Sequence, residues 1–226
     1  MKKLLLSIQF ALFLAGCSTE NPIVEETKAE ETKIEESIVE VEEQWDAKPV
    51  IYLYPETTCE VEVKLDYAGE LTCTYPEYMD GWRVVAQPDG TLVDDITGKE
   101  YSYLFWEGKS DAVYDFSKGY VIAGKDTAEF LEKKLNELGL NRKEANEFIV
   151  YWLPRMEENP YNLITFQNEG YTDYAKLEIT PKPDSILRVF MAYKPLDEKM
   201  EVEEPVIEPV ERKGFTVVEW GGTEIR

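Results

Sequence analysis

Histidine is absent from all 226 residues. That absence removes the imidazole base of Ser-His and Cys-His nucleophile pairs, and every His-ligated metal site. Cysteine is scarce: Cys17, Cys59 and Cys73 are the whole complement, too few for a zinc site of the usual type. Positive charge is short as well, with 24 Lys and Arg against 46 Asp and Glu. A net charge of −22, with no basic stripe to hold phosphates, excludes nucleic acid as a partner. No apolar run reaches the ~20 residues that a permanent spanning helix requires. Any catalysis must rest on carboxylate, Lys, Tyr, Ser or Cys side chains. Asp89, Asp94 and Asp95 depart from the spacing of a calcium-wrapping loop and read as turn residues, so no metal and no cofactor is expected.

What is present begins with Lys2 and Lys3, an apolar run over residues 4–14, and then Ala15-Gly16-Cys17. Lysines hold the N-terminus on the anionic cytoplasmic side while the apolar run partitions into the bilayer. Two small residues let a peptidase reach the backbone, and only a thiol can form a thioether. This order resembles the lipobox of bacterial lipoproteins. The resemblance implies cleavage between Gly16 and Cys17, a diacylglycerol bearing palmitate-type chains on Cys17, and a body held on the extracytoplasmic face of the membrane. Two such chains, at ~0.8 kcal/mol per buried methylene, anchor stably where one does not. An ordinary export signal with a chance cysteine is the alternative.

Residues 17–48 read as an acidic tether. From Ser18 onward they hold eleven acidic residues and three lysines, too little apolar surface to offset the entropy of ordering. Ile34, Ile38 and Val41 fall at helical spacing, enough for transient helix only. Residues 49–226 then form one domain, long enough for a real core. Residues 50–54 are β-rich. Val61, Val63 and Leu65 alternate with polar neighbours, as do Leu71, Cys73 and Tyr75, which predicts a hairpin with Leu65 facing Leu71 around Tyr67-Ala68-Gly69. That register holds Cys59 and Cys73 too far apart for a disulfide.

Further strands are expected at 82–86, 91–93, 100–107, 120–123, 161–166, 174–179, 187–193 and 215–220, the last stopping before Gly221-Gly222. Asp126 with Glu129 and Asn141 with Glu144 predict two capped helices. Residues 148–153, apolar at both parities, suit a buried strand or a helix end, and strand is favoured. Residues 197–213, rich in Glu and Pro, are a loop or crossing arm. The expected fold is α+β, a mainly antiparallel, sandwich-like β-sheet with a short helical pair inserted between strands.

Three stretches place a large ring beside a carboxylate: Phe105-Trp106-Glu107-Gly108, Tyr151-Trp152-Leu153-Pro154-Arg155 followed by Glu157, and Val218-Glu219-Trp220. Rings that stack on a sugar face beside an acid that accepts hydroxyl hydrogen bonds suit a glycan binder. Trp106, Glu107, Trp152, Arg155 and Trp220 are therefore the candidate ligand-binding residues. The opposing reading is that the tryptophans fill the core. A hydrolytic version needs only two carboxylates across a cleft, with Glu107 as acid and Glu157 or Glu219 as partner. Lys48-Pro49-Val50-Ile51-Tyr52-Leu53-Tyr54-Pro55, Tyr103-Leu104-Phe105-Trp106-Glu107-Gly108, Tyr151-Trp152-Leu153-Pro154 and Glu219-Trp220-Gly221-Gly222 together resemble an uncharacterised bacterial domain of secreted and lipid-anchored proteins. That resemblance implies one continuous domain after the tether and supplies no catalytic residue. The expectation is an envelope lipoprotein whose body binds a glycan or peptide. A histidine-free hydrolase and a structural or assembly partner at the cell surface are the alternatives.

Overall fold

The computed structural model describes residues 44–167, 169–207 and 210–225. The signal, Gly16, Cys17 and the tether up to residue 43 lie outside the described residues. In chain order come β1 (Gln44–Tyr54), β2 (Cys59–Tyr67), β3 (Gly69–Tyr75), β4 (Trp82–Ala86), β5 (Leu92–Asp94), β6 (Glu100–Tyr101), β7 (Leu104–Ser110) and β8 (Tyr120–Ala123). Helices α1 (Thr127–Glu137) and α2 (Arg142–Met156) follow, then β9 (Tyr161–Gln167), α3 (Glu169–Thr172), β10 (Ala175–Thr180), β11 (Ser185–Leu196) and β12 (Thr216–Glu224). No described helix is long and apolar enough to cross a membrane.

Seven strands form one sheet in the order β3-β7-β1-β12-β11-β9-β8, and five form a second in the order β10-β2-β4-β5-β6. Every described strand pair is antiparallel except β11 with β12. The architecture is thus α+β and mainly antiparallel. Ile51, Leu53, Trp106, Phe190 and Val217 of the larger sheet meet Val61, Val63, Trp82, Val84 and Leu92 of the smaller one. On its other face, Val50, Tyr52, Val189, Val218 and Trp220 meet Leu131, Leu135, Phe148 and Trp152 of the helix pair. Residues 50–53 are apolar at both parities because β1 is covered on both faces.

The domain border moves. The tether was expected to run to Lys48, yet β1 begins at Gln44 and pairs with β7 from there: Gln44 faces Ser110 and Trp45 faces Lys109. Lys48 and Pro49 form a bulge, with Lys48 at φ 60°, and this break hides the alternation that joins Trp45 and Asp46 to the strand.

The β2–β3 hairpin does not form. Strand β2 pairs with β10 and β4, whereas β3 pairs with β7. The chain changes sheet at Ala68, whose N–H bonds to the Tyr174 carbonyl at 2.7 Å. Gly69 serves close approach rather than a left-handed turn, since a Cβ there would collide with the Tyr67 ring at 2.7 Å. Cys59 and Cys73 are both free thiols, and they lie in different sheets.

Residues 148–153 are helix, in the middle of α2. Ala145, Phe148, Trp152 and Met156 are its buried apolar residues, a 3.6-residue period that the 67%-exposed Val150 masks in sequence. Pro154 sits in the last turn of α2 rather than ending a strand. Asn141 and Glu144 make the reciprocal capping box, but Asp126 makes no side-chain cap on α1, because a single 3-10 turn leads into that helix. The expected strand at 100–107 divides at Ser102, β6 joining the smaller sheet and β7 the larger. Gly221-Gly222 does not stop β12, which runs on to Glu224. The two glycines let the strand pass beneath Pro49 and the Trp152 ring.

Candidate functional site

Trp106 and Trp220 are 0% exposed and Trp152 is 1% exposed. Trp106 lies between the two sheets, while Trp152 and Trp220 lie between the larger sheet and the helices. Phe148 meets the Trp220 ring edge-on at 5.3 Å. These three indoles are core, and they form no open groove for a sugar. Sequence cannot separate the two cases, because a strand-end Trp beside an acid reads the same whether the acid is a rim group or a buried partner.

Glu219 shows the second situation. It is 0% exposed, accepts from the Arg188 Nε at 2.6 Å and from the Trp106 indole N–H at 3.2 Å. Burial is the largest influence and lowers the Arg188 pKa, but the charge of Glu219 together with Tyr171 and the hydrogen bonds to both outweighs it, and the pKa is raised. Close by, Asp46 is also fully buried. It accepts from the Tyr67 hydroxyl at 2.6 Å, the Tyr114 hydroxyl at 2.7 Å and the Ser110 hydroxyl at 3.4 Å. Desolvation raises its pKa, the hydroxyl donors partly offset that, and the charge of Glu219 adds to it. Burial and the Asp46 charge likewise raise both tyrosines. This network joins the sheets and has no open access. Its only trace in the sequence was an aspartate placed, wrongly, in the tether.

Glu107 is different. Strand β7 buries Leu104, Trp106, Gly108 and Ser110 toward the smaller sheet, so Phe105, Glu107 and Lys109 point the opposite way. Glu107 and Glu219 therefore lie on opposite faces of one sheet and cannot work across a cleft. Helices α1 and α2 cover β12, β11 and the Val50–Tyr52 part of β1 on this face, and leave the start of β1 and the β3-β7 side open. On that open side Tyr75 is 61% exposed and Trp45 is 51% exposed. Tyr75 pairs with Phe105, Cys73 with Glu107, and Trp45 with Lys109. The Lys109 ammonium lies 4.5 Å from the Trp45 ring centre, and Tyr101 meets Tyr75 edge-on at 5.2 Å.

The bulge completes the face. Lys48 gives its backbone N–H to the Glu107 carboxylate at 3.2 Å and lays its ammonium 5.0 Å from the Tyr103 ring and 4.9 Å from the Phe105 ring. From α2, the Arg155 guanidinium stacks on Tyr151 at 3.9 Å and donates to the Tyr151 carbonyl. Burial raises the Tyr151 pKa, Arg155 pulls it back and Glu107 adds to it, so both charges border this ring. Glu157, at the C-cap of α2, is exposed. The structure thus sets Glu107 on the aromatic face and Arg155 against Tyr151 of α2, close enough that both charges act on that ring, and separates from this face Trp106, Trp152, Trp220 and Glu219. Trp45, Lys48 and Tyr75 border the same face and were not singled out in the sequence. A lone tryptophan in an acidic tether was the available signal. Among the described residues no three Cys, Asp or Glu side chains are grouped to hold a metal ion.

No family model matches the chain, and no solved structure matches it. Among curated proteins it is similar to "Uncharacterized protein in bglA 3'region" of Butyrivibrio fibrisolvens, at 48% identity over 66 residues, 28% of this chain and 67% of that protein. At that identity and coverage, the chain belongs to the family of this Butyrivibrio fibrisolvens protein.

Proposed function

We propose that the mature chain is a lipid-anchored binding module of the bacterial cell envelope, held through Cys17 on the extracytoplasmic face, with a glycan as its ligand. The anchor rests on the order of basic, apolar, small and thiol residues in 1–17. The observation that carries the binding role is the half-exposed Trp45, which lies with Tyr75 and Phe105 on an open sheet face beside the Glu107 carboxylate. Flat rings accept the apolar face of a sugar, while Glu107 accepts its hydroxyls and Arg155 and Lys48 donate to its oxygens.

The hydrolytic reading is weaker, because the buried and ion-paired Glu219 cannot partner Glu107 and only the exposed Glu157 is left. A purely structural partner would not need the exposed rings.

Trp82, Trp106, Trp152 and Trp220 are all at most 2% exposed. A ligand on the open face therefore reports through Trp45 among the described tryptophans. Titration with cellohexaose, chitohexaose and soluble peptidoglycan fragments should blue-shift the exposed emission component for at least one of them, and Trp45→Ala should abolish both shift and binding. Absence of any shift, or unchanged affinity in the Ala variant, removes this reading.

A further inference from the structure

Among the described residues, Lys48 is the one non-glycine with a positive φ, at 60°. Glycine takes that conformation without cost, whereas a longer side chain there is uncommon and strained, a state that collects at ligand sites. A lysine kept in such a place points to a use for its ammonium. The bulge at Lys48 and Pro49 breaks the register of β1 with both β7 and β12. It sets the ammonium 5.0 Å from the Tyr103 ring centre and 4.9 Å from that of Phe105.

In a chain with 46 Asp and Glu against 24 Lys and Arg, a half-buried cation has many acids to meet. Lys48 pairs with none among the described residues. Glu107 accepts its backbone N–H, and its ammonium reaches the Tyr103 hydroxyl at 3.5 Å. Arg155 makes no ion pair among the described residues either; exposed, it lies over the Tyr151 ring at the border of the same face. Two cations are thus held over rings and off carboxylates, in a body whose overall charge repels anions.

We propose, resting on the glycan reading of this face, that its ligand is an acidic glycan built of uronates, and that Lys48 is the residue that selects the acid. A hexuronate has an apolar C–H face for the rings, hydroxyls for Glu107 and a carboxylate for an ammonium that no acid of the protein neutralises. A neutral sugar would use the rings and Glu107 but leave that charge idle. A phosphate ester suits the face less well, because its second negative charge would stand beside Glu107.

The test uses the full mature chain carrying Cys17→Ser, titrated with hexagalacturonate and hexaglucuronate, each against its methyl ester, with Trp45 emission and calorimetry as readouts. At least one acid should bind about tenfold more tightly than its ester at low salt, and that preference should fade at about 0.5 M salt, where screening is short-ranged. Lys48→Gly suits the backbone at φ 60°, so it should keep the urea midpoint or raise it, yet bring the acid-to-ester ratio down to about one. Lys48→Asn, the other change that tolerates this conformation, should lower the ratio in the same way. Esters that bind as tightly as the acids, or a ratio that both Lys48 variants leave untouched, would overturn the inference and leave the glycan reading standing. Acids and esters that both fail to bind, while cellohexaose or chitohexaose binds through Trp45, would do the same. Failure of every sugar would remove both.

Discussion

Glu144 carries three duties with one carboxylate. It is fully buried, it accepts the Asn141 N–H at 2.8 Å in the capping box, and both its oxygens accept from Arg212. The same arginine donates its Nε to the Gly139 carbonyl at 3.0 Å, so one side chain fastens the crossing arm to the helix pair. Arg212→Ala leaves a buried charge unpaired, and should lower unfolding free energy in urea by about 3 kcal/mol. Asn141→Ala removes only the cap and should cost about 1 kcal/mol. Of this arrangement the cap was readable, because its spacing is local; Arg212, 68 residues away, was not. Asp46 gives a pH signature. Its folded pKa is raised, chiefly by desolvation, so the stability linked to its proton is present below the ordinary aspartate value near 3.9 and is lost as pH rises through the raised folded value. Urea titrations at stepped pH above 4 should show that loss in the wild type, and Asp46→Asn should remove that component of the slope.

At the level of elements, the legible parts were those whose period is clean on one face. Strand β4 falls on the expected residues, and β8 does too. Alternation in β2 was read correctly, but in β3 it was not, since Cys73 and Tyr75 are exposed beyond a bulge after Leu71; partner choice failed too, because two adjacent amphipathic strands look alike whether they join each other or separate sheets. Strand β12 failed for another reason: glycine was taken as a stop where it serves contact. A Cβ on Gly222 would lie 2.5 Å from the Met191 carbonyl and 2.7 Å from the Trp152 ring. Gly222→Ala should therefore destabilise by about 1–3 kcal/mol, read as a lower urea midpoint. Its effect should fall on the α2 contact, as altered near-ultraviolet dichroism of Trp152. Glu107 and Arg155 were singled out from sequence because each follows an aromatic run. Trp45 was lost because a bulge three residues on, at Lys48 and Pro49, interrupts the pattern that would have claimed it for β1.

At the scale of the molecule, surface chemistry and attachment decide behaviour. A chain with pI ≈ 4.4 should be least soluble near that pH and repelled from anionic bilayers above it. Cys17→Ala should release the protein from the membrane fraction and remove any lipid-borne mass from its N-terminus; persistence in the membrane would end the anchor hypothesis. Glu107→Gln separates the functional alternatives: a binder should lose affinity for its glycan, while a hydrolase should keep affinity and lose turnover. The position of β1 has a mechanical consequence. The acidic segment enters the fold at Gln44, directly into a strand bonded on both sides to β7 and β12, and the open aromatic face is built on that same strand. A pull between lipid and ligand would run lengthwise through β1, where many backbone bonds resist together instead of parting in sequence, so the helices and the smaller sheet would carry little of the load.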